Sequence, residues 1–156
     1  MARGINGLLT GIPESEGYDA IMVIVDQLTK MRHLLPCNTT INSEDLAQLF
    51  LRDIWNLHGL LTHITSDRGT QFTAKFWRAL CKHLGIEARI YTAFHPETYG
   101  QTERLNTVME QYLLGYVSYQ QDDWVKWLPI AEFSTNNQVS TFTKAKPFFE
   151  NYGFHL

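Results

Sequence analysis

Two carboxylates stand where acidic groups could do chemistry. Asp67 follows the β-like run Leu61-Thr62-His63-Ile64-Thr65, and Glu103 falls in the first turn of a helix expected from near Gln101. The two are separated by 35 residues. A carboxylate at a strand end and another on a helix can hold a hard divalent cation, which takes oxygen ligands in near-octahedral geometry. Glu103 also has a plainer reading, because an acid in a first helical turn favours the helix dipole without any ligand. Asn106 and Glu110 share its helical face. Side chains suited to phosphate lie nearby: His95 in a loop punctuated by Pro96 and Gly100, then Gln101, Arg104 and Asn106 around Glu103, and Lys75 on an earlier helix. Scattered cations such as Lys75, Arg78, Lys82 and Arg89 equally suit an ordinary solvated surface. Arg68, next to Asp67, is expected to pair with a carboxylate in preference to DNA. His33, His58, His63, His83 and His155 have no close partner at zinc-ligand spacing, so zinc is not expected.

The elements that must position these groups follow from pattern. Residues 5–12, closed by Pro13, predict a central strand, and residues 13–18 have hairpin-loop composition. Residues 19–26 form a near-continuous apolar run, and residues 31–35 before Pro36 a third strand, which together predict an antiparallel meander. A helix should open at Ser43 with Glu44 and Asp45 at its positive end and stop at His58-Gly59, with Leu46, Leu49, Phe50, Ile54 and Leu57 facing inward. Residues 61–65 are expected to be the strand that delivers Asp67. A helix over about 73–84 buries Phe76, Leu80 and Leu84 and ends at Gly85, a fifth strand covers 88–92, and a mobile loop covers 93–100. Helices are expected over 101–117, over 123–133, and from Pro147, a favoured first-turn residue. Trp124 and Trp127 read either as core or as an exposed contact. This order predicts an α/β chain with an RNase H-like fold, a five-stranded mixed sheet flanked by helices.

The segments SDRGTQF, TAFHPETYGQTERLN, DDWVKWLPIAEF and KPFFENYGF resemble the integrase core of gypsy-type LTR retrotransposons, within the retroviral integrase superfamily. The resemblance implies a triad of two aspartates and a glutamate, the last two 35 residues apart, which places Asp67 and Glu103 at its second and third positions. The family's first aspartate opens a segment of the form Asp-Phe-Ile-Thr-Gly-Leu-Pro, and the matching segment here is Gly7-Leu8-Leu9-Thr10-Gly11-Ile12-Pro13. Gly7 thus stands where the first metal-binding carboxylate is expected. In the family that aspartate bridges two Mg²⁺ or Mn²⁺ ions, which activate the attacking oxygen and stabilise the leaving one. Losing a group of this kind commonly costs on the order of 4 kcal/mol or more of transition-state stabilisation, so metal binding here is expected to be weak or absent. If Ile12 lies opposite Asp19, Gly7 falls opposite Ile24 and Asp26 lies diagonally on the same face, roughly 7–8 Å away. Asp26 is then the candidate substitute ligand, with a structural role as the plainer reading. Tyr99 and residues 138–146 also depart from the family pattern, which fits a relic or a domesticated element.

With 156 residues the chain is expected to form a single core domain, without the N-terminal zinc module and C-terminal module of a full-length integrase. Its net charge of −3 gives no global basic signature, so DNA binding by this chain alone should be weak. Two distant cysteines, Cys37 and Cys81, suit reduced thiols in an intracellular or nuclear setting, and no stretch reaches membrane-spanning length. The resemblance further implies a homodimer. The expected function is that of a retrotransposon-derived, catalytically impaired core acting in self-association or in binding DNA or protein. The alternatives are an active Mg²⁺-dependent DNA strand transferase and a purely structural relic.

Overall fold

The computed structural model describes residues 3–59, 66, 68–85, 115, 121–141 and 143–154. Within them β1 (Arg3–Leu9), β2 (Ala20–Asp26) and β3 (Arg32–Cys37) form an antiparallel sheet in the order β1-β2-β3. This is the expected meander. Among the described residues the sheet has three strands, not five; the strands expected over 61–65 and 88–92, and the helix over 101–117, lie outside them. Between β1 and β2, Ser15 and Tyr18 exchange both backbone hydrogen bonds around Glu16 and Gly17, whose φ angles of 51° and 83° make the tight turn.

β2 is buried along its whole length, as a strand covered on both faces must be. Its alternation sends Ala20, Met22 and Ile24 to one side and Ile21, Val23 and Val25 to the other. The first side packs beneath α1 (Ser43–Phe50) and α3 (Thr70–Leu84), where Phe50 meets Phe76 edge-on with ring centroids 6.0 Å apart. Such a pair contributes about 0.5–1.5 kcal/mol beyond its burial. The second side packs beneath α4 (Trp124–Asn136) through Trp124, Leu128 and Ala131. A short α5 (Pro147–Tyr152) opens on proline as expected.

Two local details depart from simple periodicity. The first helix is continued by a π-helical turn, Leu51–Trp55, and by α2 (Asn56–His58), ending at Gly59 with φ 70°. A π turn holds more residues per revolution than an α turn and so rotates everything after it. Leu57, expected on the apolar face, is consequently 57% exposed, and His58 turns toward β3 instead. The third strand includes Pro36 rather than stopping before it, because position 36 points its missing N–H to the outer edge of β3, where no ladder bond is lost.

Candidate active site

Gly7 is buried in β1 opposite Val23. The pairing runs Arg3 to Asp26, Gly4 to Val25 and Ile5 to Ile24, then skips Asn6 and resumes at Gly7 with Val23. That bulge gives Gly7 a φ of 125°, a region which side chains with a Cβ rarely adopt. The expected register, with Gly7 opposite Ile24, is therefore displaced by one residue, and the displacement has a chemical consequence. Val23 belongs to the α4 side of the sheet, whereas Asp26, following the alternation of Met22 and Ile24, belongs to the α1 and α3 side. Asp26 is also three residues further along β2, or roughly 10 Å at strand spacing.

Asp26 has a local task. Its carboxylate accepts the Leu28 N–H at 3.1 Å and the Thr29 hydroxyl at 3.2 Å, while its backbone closes the β2–β3 turn with Lys30 and Met31. Being 3% exposed, it meets the requirement that a buried carboxylate be hydrogen-bonded. Both oxygens are thus used in shaping the turn, on the face away from position 7.

Asp67 and Glu103 lie outside the described residues, as do His95, Gln101, Arg104 and Asn106. The neighbours of Asp67 are described. The Arg68 N–H donates to Ser66 Oγ at 3.2 Å, its guanidinium donates to the Ile41 carbonyl at 2.8 Å, and the same group lies 4.2 Å above the Phe72 ring. Among the described residues Arg68 engages a backbone carbonyl and an aromatic face, tying the start of α3 to the loop before α1; the carboxylate beside it, Asp67, lies outside them. Gly69, with φ 89°, turns the chain into that helix, which begins three residues earlier than periodicity suggests. Lys75, Arg78 and Lys82 are exposed on α3 at i, i+3 and i+7 and so share one stripe open to phosphate. Among the described residues no group of three or more His, Cys, Asp or Glu is placed to hold a metal ion.

One polar assembly was not legible in the linear spacing. Among the described residues no strand pairs with the outer edge of β3, and α4 covers it with side chains. Asn136 accepts the Arg32 N–H and donates to the Arg32 carbonyl, both at 2.8 Å, and Glu132 accepts the Leu34 N–H at 2.9 Å. With Pro36 lacking an N–H, each outward donor of the edge is either met or absent. Glu132 also meets His33, which in turn meets His58. A hint existed in the sequence: Glu132 and Asn136 are polar, four residues apart, and adjoin the apolar stripe of α4. The same packing decides the tryptophans. Trp124 is buried with its indole N–H on the Pro13 carbonyl, and Trp127 gives its own to Asp123. Ile130 and Phe133, at 42% and 50% exposure, are instead the open apolar groups of α4.

Comparison with known proteins agrees with this architecture. Residues 9–96 match the family described as "Integrase core domain". The Tf2-3 and Tf2-4 transposon polyproteins of Schizosaccharomyces pombe are each 31% identical to the chain over 140 residues, covering 90% of it and 10% of the polyprotein. The chain therefore spans about a tenth of these relatives. Among solved structures, the HTLV-2 integrase catalytic core domain in complex with magnesium, in its trimeric form, is similar with a TM-score of 0.63 at 17% identity, covering 94% of each chain. The catalytic core domain of BIV integrase gives 0.61 at 20% identity, over 94% of this chain and 92% of that one. These likenesses support the RNase H-like fold.

Proposed function

The chain belongs to the integrase core domain family, and on that premise we propose that it is a retrotransposon-type core in which metal-dependent strand transfer is impaired and which acts by self-association or by binding DNA or protein. Gly7 carries this reading. It brings no side-chain oxygen donor to β1, its backbone is bent into a conformation suited to glycine, and the candidate substitute, Asp26, is engaged on the other face. With glycine at position 7 the donor set would lack one of the carboxylates that a pair of Mg²⁺ or Mn²⁺ ions calls for, so no catalytic step is derived through them. The exposed cations of α3 support a weak, sequence-independent contact with phosphate, in a chain whose net charge of −3 opposes anything stronger. The open Ile130 and Phe133 on α4 support self-association. A nuclear location suits DNA binding.

The test pairs two measurements on the chain as it stands. A labelled DNA end is incubated with target DNA in Mg²⁺ and in Mn²⁺, and sedimentation is followed with and without Ile130→Glu and Phe133→Glu. The reading expects no joined product, and a dimer that dissociates in the two variants. Joining that disappears on Asp67→Asn would instead establish an active strand transferase and overturn the proposal.

A further inference from the structure

Away from position 7, a chain of hydrogen bonds crosses three elements. Glu132 Oε1 on α4 lies 2.9 Å from Nδ1 of His33 on β3, and His33 Nε2 lies 2.7 Å from Nε2 of His58 at the end of α2. The other Glu132 oxygen accepts the Leu34 N–H, so the strand itself orients the carboxylate. His33 is 5% exposed, and the two imidazole rings are tilted at 56° with centroids 4.8 Å apart.

The proton count follows from what each atom can do. An ionised carboxylate only accepts, so Nδ1 of His33 carries a hydrogen. The gap between the two Nε2 atoms has room for one hydrogen. A neutral pair places it on one ring and a lone pair on the other. One added proton still leaves a donor facing an acceptor, now charge-assisted and shorter in character. A second added proton puts N–H against N–H and sets two cations side by side, with Glu132 in contact with the His33 ring alone of the two.

We propose that Glu132, His33 and His58 form a proton-sharing strut that holds α2 against β3 and releases it when the second proton is taken up. The π turn at Leu51–Trp55 is part of this device, because it rotates His58 into reach of β3. Among the described residues the other charged groups on these elements are few, and Lys126 on α4 pairs with Asp123 at 2.8 Å. Arg32, beside His33 on β3, has its guanidinium value lowered by burial and opposes a further positive charge. Arg52 and Asp53 on the π turn close on each other at 2.6 Å. Asp26, in the turn before β3, is held by Leu28 and Thr29. Glu132 is therefore the group that favours the first proton, and the dication is the state in which the contact fails. The strut is strongest at the intermediate charge and lost on the acid side of the pair's second protonation step.

The experiment is imidazole ¹⁵N NMR of the full chain across a pH series, with His33 and His58 assigned through single variants. Hydrogen exchange of the Gly59 N–H, which donates to the Trp55 carbonyl, reports whether the end of α2 is held. The two rings should titrate in two coupled steps, with Gly59 exchange rising severalfold at the second. In His58→Gln the amide can donate or accept as required, so the contact persists and the rise at Gly59 disappears. In Glu132→Gln the release moves to lower pH, because a stabilising negative charge is gone. His83→Gln, which removes the ionisable ring from the separate His83–Glu44 contact between α3 and α1, leaves the step in place. Rings that titrate independently, a Gly59 step that survives in His58→Gln, or one unmoved in Glu132→Gln would each overturn the strut. If one variant fails to fold, the wild-type titration and the other variant still decide the matter.

Discussion

Placing a carboxylate at position 7 by Gly7→Asp should not by itself build a site. Position 7 is buried, lies at a bulge and has φ 125°, so any side chain there must either accept the strain or flatten the bulge and slide β1 against β2. Strain of this kind costs on the order of 1–3 kcal/mol. A carboxylate adds the penalty of burying a charge without a partner, several kcal/mol unless it takes up a proton. In chelator, therefore, Gly7→Ala should lose about 1–3 kcal/mol against the parent in urea unfolding, and Gly7→Asp about 3 kcal/mol or more. If Asp67 and Glu103 stand ready to complete a metal site, divalent cation should return part of the loss to Gly7→Asp alone, about 2.7 kcal/mol at a hundredfold excess over Kd. The assay is a set of urea curves for the three proteins in EDTA and in saturating Mg²⁺ or Mn²⁺, with calorimetric titration of the same ions. The parent and Gly7→Ala should be indifferent to metal. Equal stability of all three proteins in chelator would refute the backbone argument. Tight binding of two ions by the parent would refute the claim that position 7 leaves the donor set incomplete.

Other outcomes follow from the same packing. Asn136→Ala strips the Arg32 N–H and carbonyl of their partner at the β3 edge and should lower unfolding free energy by about 1–3 kcal/mol, with Asn136→Asp intermediate because it keeps the acceptor. Ser15→Ala should cost about 1 kcal/mol, since the buried Ser15 hydroxyl accepts the Val125 N–H and caps α4 from a distant loop where Asp123 provides no cap; a null result in denaturant titration would discount that role. Asp26→Asn should lower stability by an amount independent of Mg²⁺, whereas a metal-dependent difference would reinstate it as a ligand. Burial pushes the Cys37 thiol up to about 11 from 9.0, so at pH 8 only roughly a thousandth is thiolate and iodoacetamide should modify it on unfolding rather than in the native chain. Because the folded value is the higher one, the contribution of the neutral thiol to stability is complete below about pH 9 and is lost as pH rises toward 11.

Much of the fold could be read from local pattern because local pattern is what burial acts on. The uninterrupted apolar run of β2 required cover on both faces, and both faces are covered. Phe76 and Leu80 fell on the inner side of α3, Gly85 ended it in the left-handed conformation, and Pro147 opened the last helix. The family too was carried by contiguous motifs, SDRGTQF and TAFHPETYGQTERLN among them.

Spatial relations were another matter. Counting residues from a loop assumes an unbroken ladder, and the bulge at Asn6 shifts Gly7 from Ile24 to Val23 and puts Asp26 on the opposite face. A heptad-like stripe assumes a constant turn, and the π turn at Leu51–Trp55 exposes Leu57 while presenting His58 to His33. Glu132, His33 and His58 come from places 99 and 25 residues apart, and no spacing rule joins them. Composition and periodicity are sums over neighbours in the chain, so they report which face is apolar and where an element stops. Register, rotation and the meeting of polar groups depend on how two elements share an interface, and a single inserted residue in either one changes all three.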